Sequence, residues 1–100
     1  MNKLKLIIRR TAYEDLEAIW EYTVKTWSPN QADKYYHQII HAFELLSINP
    51  QIGKSADHVR KGYRYFKINM HLIYFTTTET TINIIRILHA QIDIPNRLGD

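Results

Sequence analysis

Cysteine is absent from this 100-residue chain, which removes disulfides, thiolate nucleophiles and cysteine-held metals from consideration. Glycine and proline are scarce, three of each, so the links between elements must be short and few. The sequence contains no glycine-rich phosphate loop, no serine-centred elbow and no dinucleotide fingerprint. No apolar run approaches the roughly 18–20 residues that a membrane span requires. The opening Met1-Asn2-Lys3-Leu4-Lys5-Leu6 is too short and too alternating for a signal peptide. The expectation is a cytoplasmic protein with no membrane contact and no cofactor. Acidic residues are outnumbered, 10 against 13 basic, for a net charge of +3 and a pI near 9.2. That moderate bias suits an acidic partner or a weak phosphate contact, whereas a dedicated DNA reader carries a denser patch.

What is present is the composition of a folded protein, 45% hydrophobic and 23% charged, in one domain spanning residues 1–100. Its organising stretch is Thr11 to Ile48. Thr11-Ala-Tyr-Glu14 has capping-box form, and Ser28-Pro29-Asn30-Gln31 repeats the device with Pro29 at the first helical position. Leu16, Ile19, Trp20, Thr23 and Trp27 recur at helical spacing, as do Ala32, Tyr35, Tyr36, Ile39, Phe43 and Leu46. Helices over 11–27 and 29–48 are predicted, antiparallel because their link is so short. Lys3 to Arg9 alternates as a half-buried strand. After an irregular connection at 51–62, β-branched and aromatic residues dominate 63–68, 72–77 and 82–89, which close links make an antiparallel meander. The order β-α-α-β-β-β predicts an α+β two-layer sandwich, a helical hairpin packed on a mainly antiparallel four-stranded sheet. The tail from Ala90 is expected to turn at Pro95.

The last strand is apolar on both faces, with Ile85 and Ile87 read to one side and Ile82, Ile84 and Leu88 to the other. Two helices cover only one face. The second is covered either by a partner lying across it or by the 51–62 connection and the tail.

Several residue sets invite chemistry. His37 and His41 stand four apart on a helix, but Gln38-Ile39-Ile40 lacks the glutamate of a zinc hydrolase and no third ligand is evident, so no metal site is assigned. Glu14, Asp15, Glu17 and Glu21 fall in the first turns of a helix, where they complement the macrodipole on a solvated face. The informative set is basic: Arg60, Lys61 and Arg64 entering the meander, Arg86 and His89 in the last strand, and Arg97 in the tail. Gathered on one side of the sheet they would hold phosphates or receive acidic side chains from a protein. His89 has the chemistry of a general base, though a histidine at a strand end is more often an ordinary hydrogen-bonding residue. No residue is assigned a catalytic role.

Together these stretches resemble the ParE branch of the RelE/ParE superfamily of bacterial toxin–antitoxin toxins. The similarity is carried by Tyr13 to Thr23, Trp27-Ser28, Gln31-Ala32, Phe43-Glu44-Leu45-Leu46 and Asn49-Pro50. It continues through Gly53-Lys54, Val59 to Arg64, and Ile85 to His89 with Asp93 beyond. The resemblance implies a plasmid-stabilising type of toxin that forms a hetero-oligomer with a cognate ParD-like antitoxin, whose acidic segment wraps an apolar groove. ParE-like toxins poison DNA gyrase; RelE-like relatives are ribosome-dependent mRNA endonucleases. Ala90 follows His89 where some nucleases of the group carry Tyr, and the tail has no aromatic residue, which favours a binding inhibitor over an enzyme. Arg60, Arg64, Arg86 and His89 are then the expected partner-binding residues. The nuclease reading, and that of a non-toxic antitoxin-binding homologue, stay open at this point.

Overall fold

The computed structural model describes residues 3–91. The expected turn at Pro95, Asp93 and the basic Arg97 lie outside the described residues. The elements run β1 (Lys5–Ile8), α1 (Arg10–Thr26), α2 (Pro29–Ile48), a 3-10 turn (Pro50–Ile52), β2 (Lys54–Ser55), β3 (Arg64–Ile68), β4 (His71–Thr77) and β5 (Thr81–His89). The sheet has five strands in the order β1-β5-β4-β3-β2. It is mixed, because β1 runs parallel to β5 while the other pairs are antiparallel. The expected four-stranded sheet gains β2, a two-residue strand inside the connection that reads as irregular from sequence.

The helical hairpin forms as its spacing predicts. Ser28 caps α2 by accepting the Gln31 N–H at 3.1 Å, with Pro29 in the first turn. α2 buries Ala32, Ile39, Ala42, Phe43 and Leu46, and α1 contributes Ala12 and Leu16. Apart from Ala32, these meet Ile73, Phe75, Ile82, Ile84 and Ile87 of the sheet in the main core, with Leu6, Ile19, Tyr36 and Phe66 partly buried against it. Two expected stripe residues stay outside: Trp20 is 38% exposed and Trp27 75% exposed.

The Thr11–Glu14 capping box does not form. α1 starts one residue earlier, with Arg9 extended at its N-cap and no side-chain capping bond. The Thr11 hydroxyl instead donates to the Ile85 carbonyl at 3.0 Å. The reason lies in the sheet. β1 pairs only with Thr81–Ile84, so the second half of β5 would present an open edge, with backbone groups left unpaired. The start of α1 closes it. Arg9 N–H donates to the Ile84 carbonyl at 3.1 Å, Thr11 satisfies Ile85, and the Asp15 carboxylate accepts the Ile87 N–H at 2.9 Å.

At the same place the β4–β5 register slips, with Tyr74 opposite Arg86 and Phe75 opposite Ile84, so that Ile85 is bulged out. A one-residue bulge reverses the facing of everything beyond it. Ile87 therefore joins Ile82 and Ile84 beneath the helices, while Leu88 faces away with Tyr74. This corrects the simple alternation, which grouped Leu88 with Ile82 and Ile84.

The second sheet face is covered by the chain itself. Ala56, Tyr74 and Leu88 form a small buried cluster, with Val59, Tyr63, Tyr65 and Leu72 packed around it. The connection is held down by Ala56 N–H to the Tyr63 carbonyl at 2.8 Å. Its tight return uses Gly62 at φ 87°, a left-handed conformation that favours glycine, with its N–H bonded to Asp57 at 2.8 Å.

Candidate functional site

The β3–β4 link is the pair Asn69–Met70, with Asn69 in the left-handed region at φ 51°, one of the few non-glycine residues that tolerate it. This turn begins β4 at His71, two residues before the core residue Ile73, so His71 points toward the helical layer. His89 is its cross-strand partner at the end of β5, the two rings meeting edge to face with centroids 5.6 Å apart. From α2, the Tyr35 hydroxyl donates to the Ile68 carbonyl at 3.1 Å and lies 2.7 Å from His71 Nδ1. The backbone N–H of Gln91 donates to His89 Nδ1 at 3.2 Å.

These groups floor a groove between the second half of α1 and the end of the sheet. One part, about 470 Å³, is lined by Tyr22, Trp27, Tyr35, Met70, His71 and His89 among others. An adjoining part of about 420 Å³ is lined by Asp15, Ile19, Tyr22, Arg86 and the same two histidines. Tyr22, Trp27 and Met70 are 68%, 75% and 51% exposed, an unusual concentration of large apolar surface on so small a chain.

Burial is the main reason that His71 titrates below the ordinary imidazole range; the neighbouring His89 adds to the effect and Asp15 opposes it. Burial likewise pushes the Tyr35 hydroxyl up, against a hydrogen bond from Asn69. His71 is thus neutral near pH 7.

The four basic candidates do not gather in one cluster. Arg86 and His89 line the same part of the groove. Arg86 is held by Asp15 through Nε at 2.8 Å and Nη2 at 3.0 Å, with both side chains largely shielded. Arg64 donates to the Gly53 carbonyl, tying β3 to the turn after α2. Arg60 is exposed and stands 5.7 Å over the Tyr63 ring on the opposite side of the sheet. Neither Arg60 nor Arg64 lines the groove.

Sequence reasoning misses Asp15 and His71. Patterning groups Asp15 with a solvated acidic face, yet it is the member of that set that braces the β5 edge. The available signal is its spacing four residues after Thr11, which puts both side chains on one helix face. His71, adjacent to an evident turn, has no motif to mark it. His37 and His41 are both exposed on α2. Among the described residues no group of three or more His, Cys, Asp or Glu is placed to hold a metal ion, and no helix is long and apolar enough to cross a membrane.

Residues 6–94 match the sequence model of the family described as "ParE toxin of type II toxin-antitoxin system, parDE". The chain is 33% identical over 95 residues to Toxin ParE1 of Mycobacterium tuberculosis, covering 94% of this chain and 97% of that one. It is 28% identical over 92 residues to Toxin ParE1 of Caulobacter vibrioides, covering 92% and 95%. The fold is shared with a chain of the chromosomal ParDE toxin–antitoxin system from P. aeruginosa, at TM-score 0.78 and 23% identity over 89% of this chain and 98% of that one. A chain of the RelBE2 toxin–antitoxin complex from Mycobacterium tuberculosis aligns at TM-score 0.62 and 22% identity, over 91% and 97%. The chain belongs to the ParE toxin family of type II toxin–antitoxin systems.

Proposed function

We propose that this protein is a cytoplasmic toxin that inhibits DNA gyrase when free and is neutralised by a cognate antitoxin seated in the groove between α1 and the end of the sheet. Membership of the ParE family motivates the target. The observation that carries the docking site is the exposed Tyr22, Trp27 and Met70 around one cavity of about 470 Å³. An apolar polypeptide face buried there gains the usual return of about 25 cal/mol per Å², and fully desolvated aromatics are the commonest anchors of such interfaces. The other sheet face is packed over by Ala56, Val59 and Tyr63.

A ribonuclease reading asks for an acid, a base and a phosphate clamp in register. The groove offers two histidines, but the guanidinium beside them is bidentate to Asp15, which argues for a binding rather than a cutting surface. The proposal is tested by expressing the protein alone and together with the product of the gene immediately upstream, which is expected to be acidic and antitoxin-sized. The expected result is growth arrest, loss of gyrase supercoiling and intact ribosome-bound mRNA without the antitoxin, and restored growth with it. Cleaved mRNA with normal supercoiling would move the protein to the nuclease branch.

A further inference from the structure

We infer that the His71–His89 pair is a recognition site for a side-chain carboxamide, Asn or Gln, presented by the polypeptide that fills the groove. The inference rests on the reading of the groove as a partner site and on where the protons are. We assign the single Tyr35 hydroxyl proton to the Ile68 carbonyl, which can only accept. On that assignment the Tyr35 oxygen, 2.7 Å from His71 Nδ1, accepts from that nitrogen. Neutral His71 is therefore the Nδ1–H tautomer, with a bare lone pair on Nε2. His89 is fixed in the opposite sense. Its Nδ1 accepts from the Gln91 N–H, so neutral His89 carries its proton on Nε2.

Neither Nε2 has a protein partner among the described residues. Two half-buried rings, 5.6 Å between centroids, thus offer the groove one acceptor and one donor side by side. A primary carboxamide is the complementary group: its N–H donates to His71 Nε2 while its oxygen accepts from His89 Nε2, at ordinary lengths of about 2.9 Å. A carboxylate would need two donors and hence a proton added to His71. The surroundings do not favour one. Asp15 on α1 faces His71 and is itself neutralised by Arg86 of β5, while α2 contributes the protonated Tyr35 and α1 the phenol of Tyr22. A metal fits poorly, because His89 would have to release its Nε2 proton with Nδ1 already accepting. A site that hydrogen-bonds a polar group rejects analogues lacking the group strongly, since its own buried partners are then stranded. The pair would therefore set which residue the partner must carry at this point.

The test uses the full-length protein with ¹⁵N-labelled histidine. At pH 7.5, long-range ¹⁵N–¹H spectra are expected to show His71 as Nδ1–H and His89 as Nε2–H. Acetamide should move both Nε2 resonances saturably. N-Methylacetamide, the mimic of a backbone peptide group, and acetate should move them less. The acetamide response should vanish in His71→Phe and on acidification through the His71 titration. The reverse tautomers, no saturable shift with acetamide, or an equal or larger response to N-methylacetamide or acetate would each overturn the assignment. Because no antitoxin enters this measurement, its failure is separate from a failure of antitoxin neutralisation or gyrase inhibition.

Discussion

Removing the Asp15 carboxylate is the most informative single perturbation of this fold. Three hydrogen bonds converge on it: Arg86 Nε at 2.8 Å, Arg86 Nη2 at 3.0 Å and the backbone N–H of Ile87 at 2.9 Å. In Asp15→Ala the Ile87 N–H is stranded on the uncovered half of β5, at a cost of about 1–3 kcal/mol. The guanidinium also loses its two bonds to this carboxylate, a loss that costs roughly 3–5 kcal/mol where a fully buried pair is broken outright. That figure must be discounted here, because the side chains of Arg86 and Asp15 are 17% and 14% exposed and water screens part of the interaction. A combined loss of about 2–4 kcal/mol follows, large against the roughly 5–15 kcal/mol of a typical domain. At about 4–8 °C per kcal/mol for a chain of this size, the midpoint should drop by roughly 8–32 °C. Urea unfolding followed by circular dichroism gives the free energy directly. Two further variants apportion it. Asp15→Asn keeps an oxygen for Ile87 but loses the charge, so about half the loss is expected. Arg86→Met leaves Asp15 capping Ile87 and should cost less than Asp15→Ala. An Asp15→Ala protein within about 0.5 kcal/mol of the parent, the range of an ordinary surface change, would refute the edge-bracing argument.

The remaining predictions address the core, a close approach and a titration. Phe43→Ala removes a ring with no exposed surface and should cost about 3–5 kcal/mol by urea unfolding. In Gly53→Ala the new Cβ would lie 2.5 Å from the Phe75 ring, so a loss of about 1–3 kcal/mol from overpacking is expected in the same assay. For His71 the folded state holds its proton less tightly than the unfolded chain. Its stabilising contribution is therefore complete above the ordinary imidazole value near 6.5, and is lost as pH falls below it toward the depressed folded value. Urea midpoints measured between pH 7.5 and pH 5 should show this slope, and His71→Gln should flatten it.

The parts of the fold that local patterning governs are legible in the chain itself. Ser28 and Pro29 announce the start of α2, and Leu16, Ile39, Phe43 and Phe75 are buried as their periodicity requires. What is not legible depends on pairings distant in sequence. Thr11 has every local mark of an N-cap, yet its hydroxyl serves Ile85, 74 residues away. The bulge at Ile85 leaves no signature in a strand that is apolar on both faces, so the facing of Leu88 follows from its register rather than from its pattern. β2 is only two residues long and exists because Lys54 and Ser55 find Tyr65 and Arg64 across the sheet. The site follows the same division. His89 and Arg86 stand out by residue type, whereas His71 acquires its meaning from a cross-strand partner and from Tyr35 on another layer.

That division changes what the basic residues can be asked to do. On a chain of net charge +3, arginines near the end of a sheet look like recognition groups. Arg86 and Arg64 are instead engaged in holding elements together, the first with Asp15 on α1 and the second with the Gly53 carbonyl. Replacing either perturbs the fold together with any binding surface, so loss of toxicity in such a variant does not identify a contact with the target. Exposed apolar residues behave differently. Tyr22, Trp27 and Met70 contribute little to the core, and their truncation falls where changes usually stay within about 0.5 kcal/mol. On the proposed docking site, recognition is therefore best separated from stability at the aromatic rim of the groove, while the charges beneath it are interpreted through the strand edge and turn they hold.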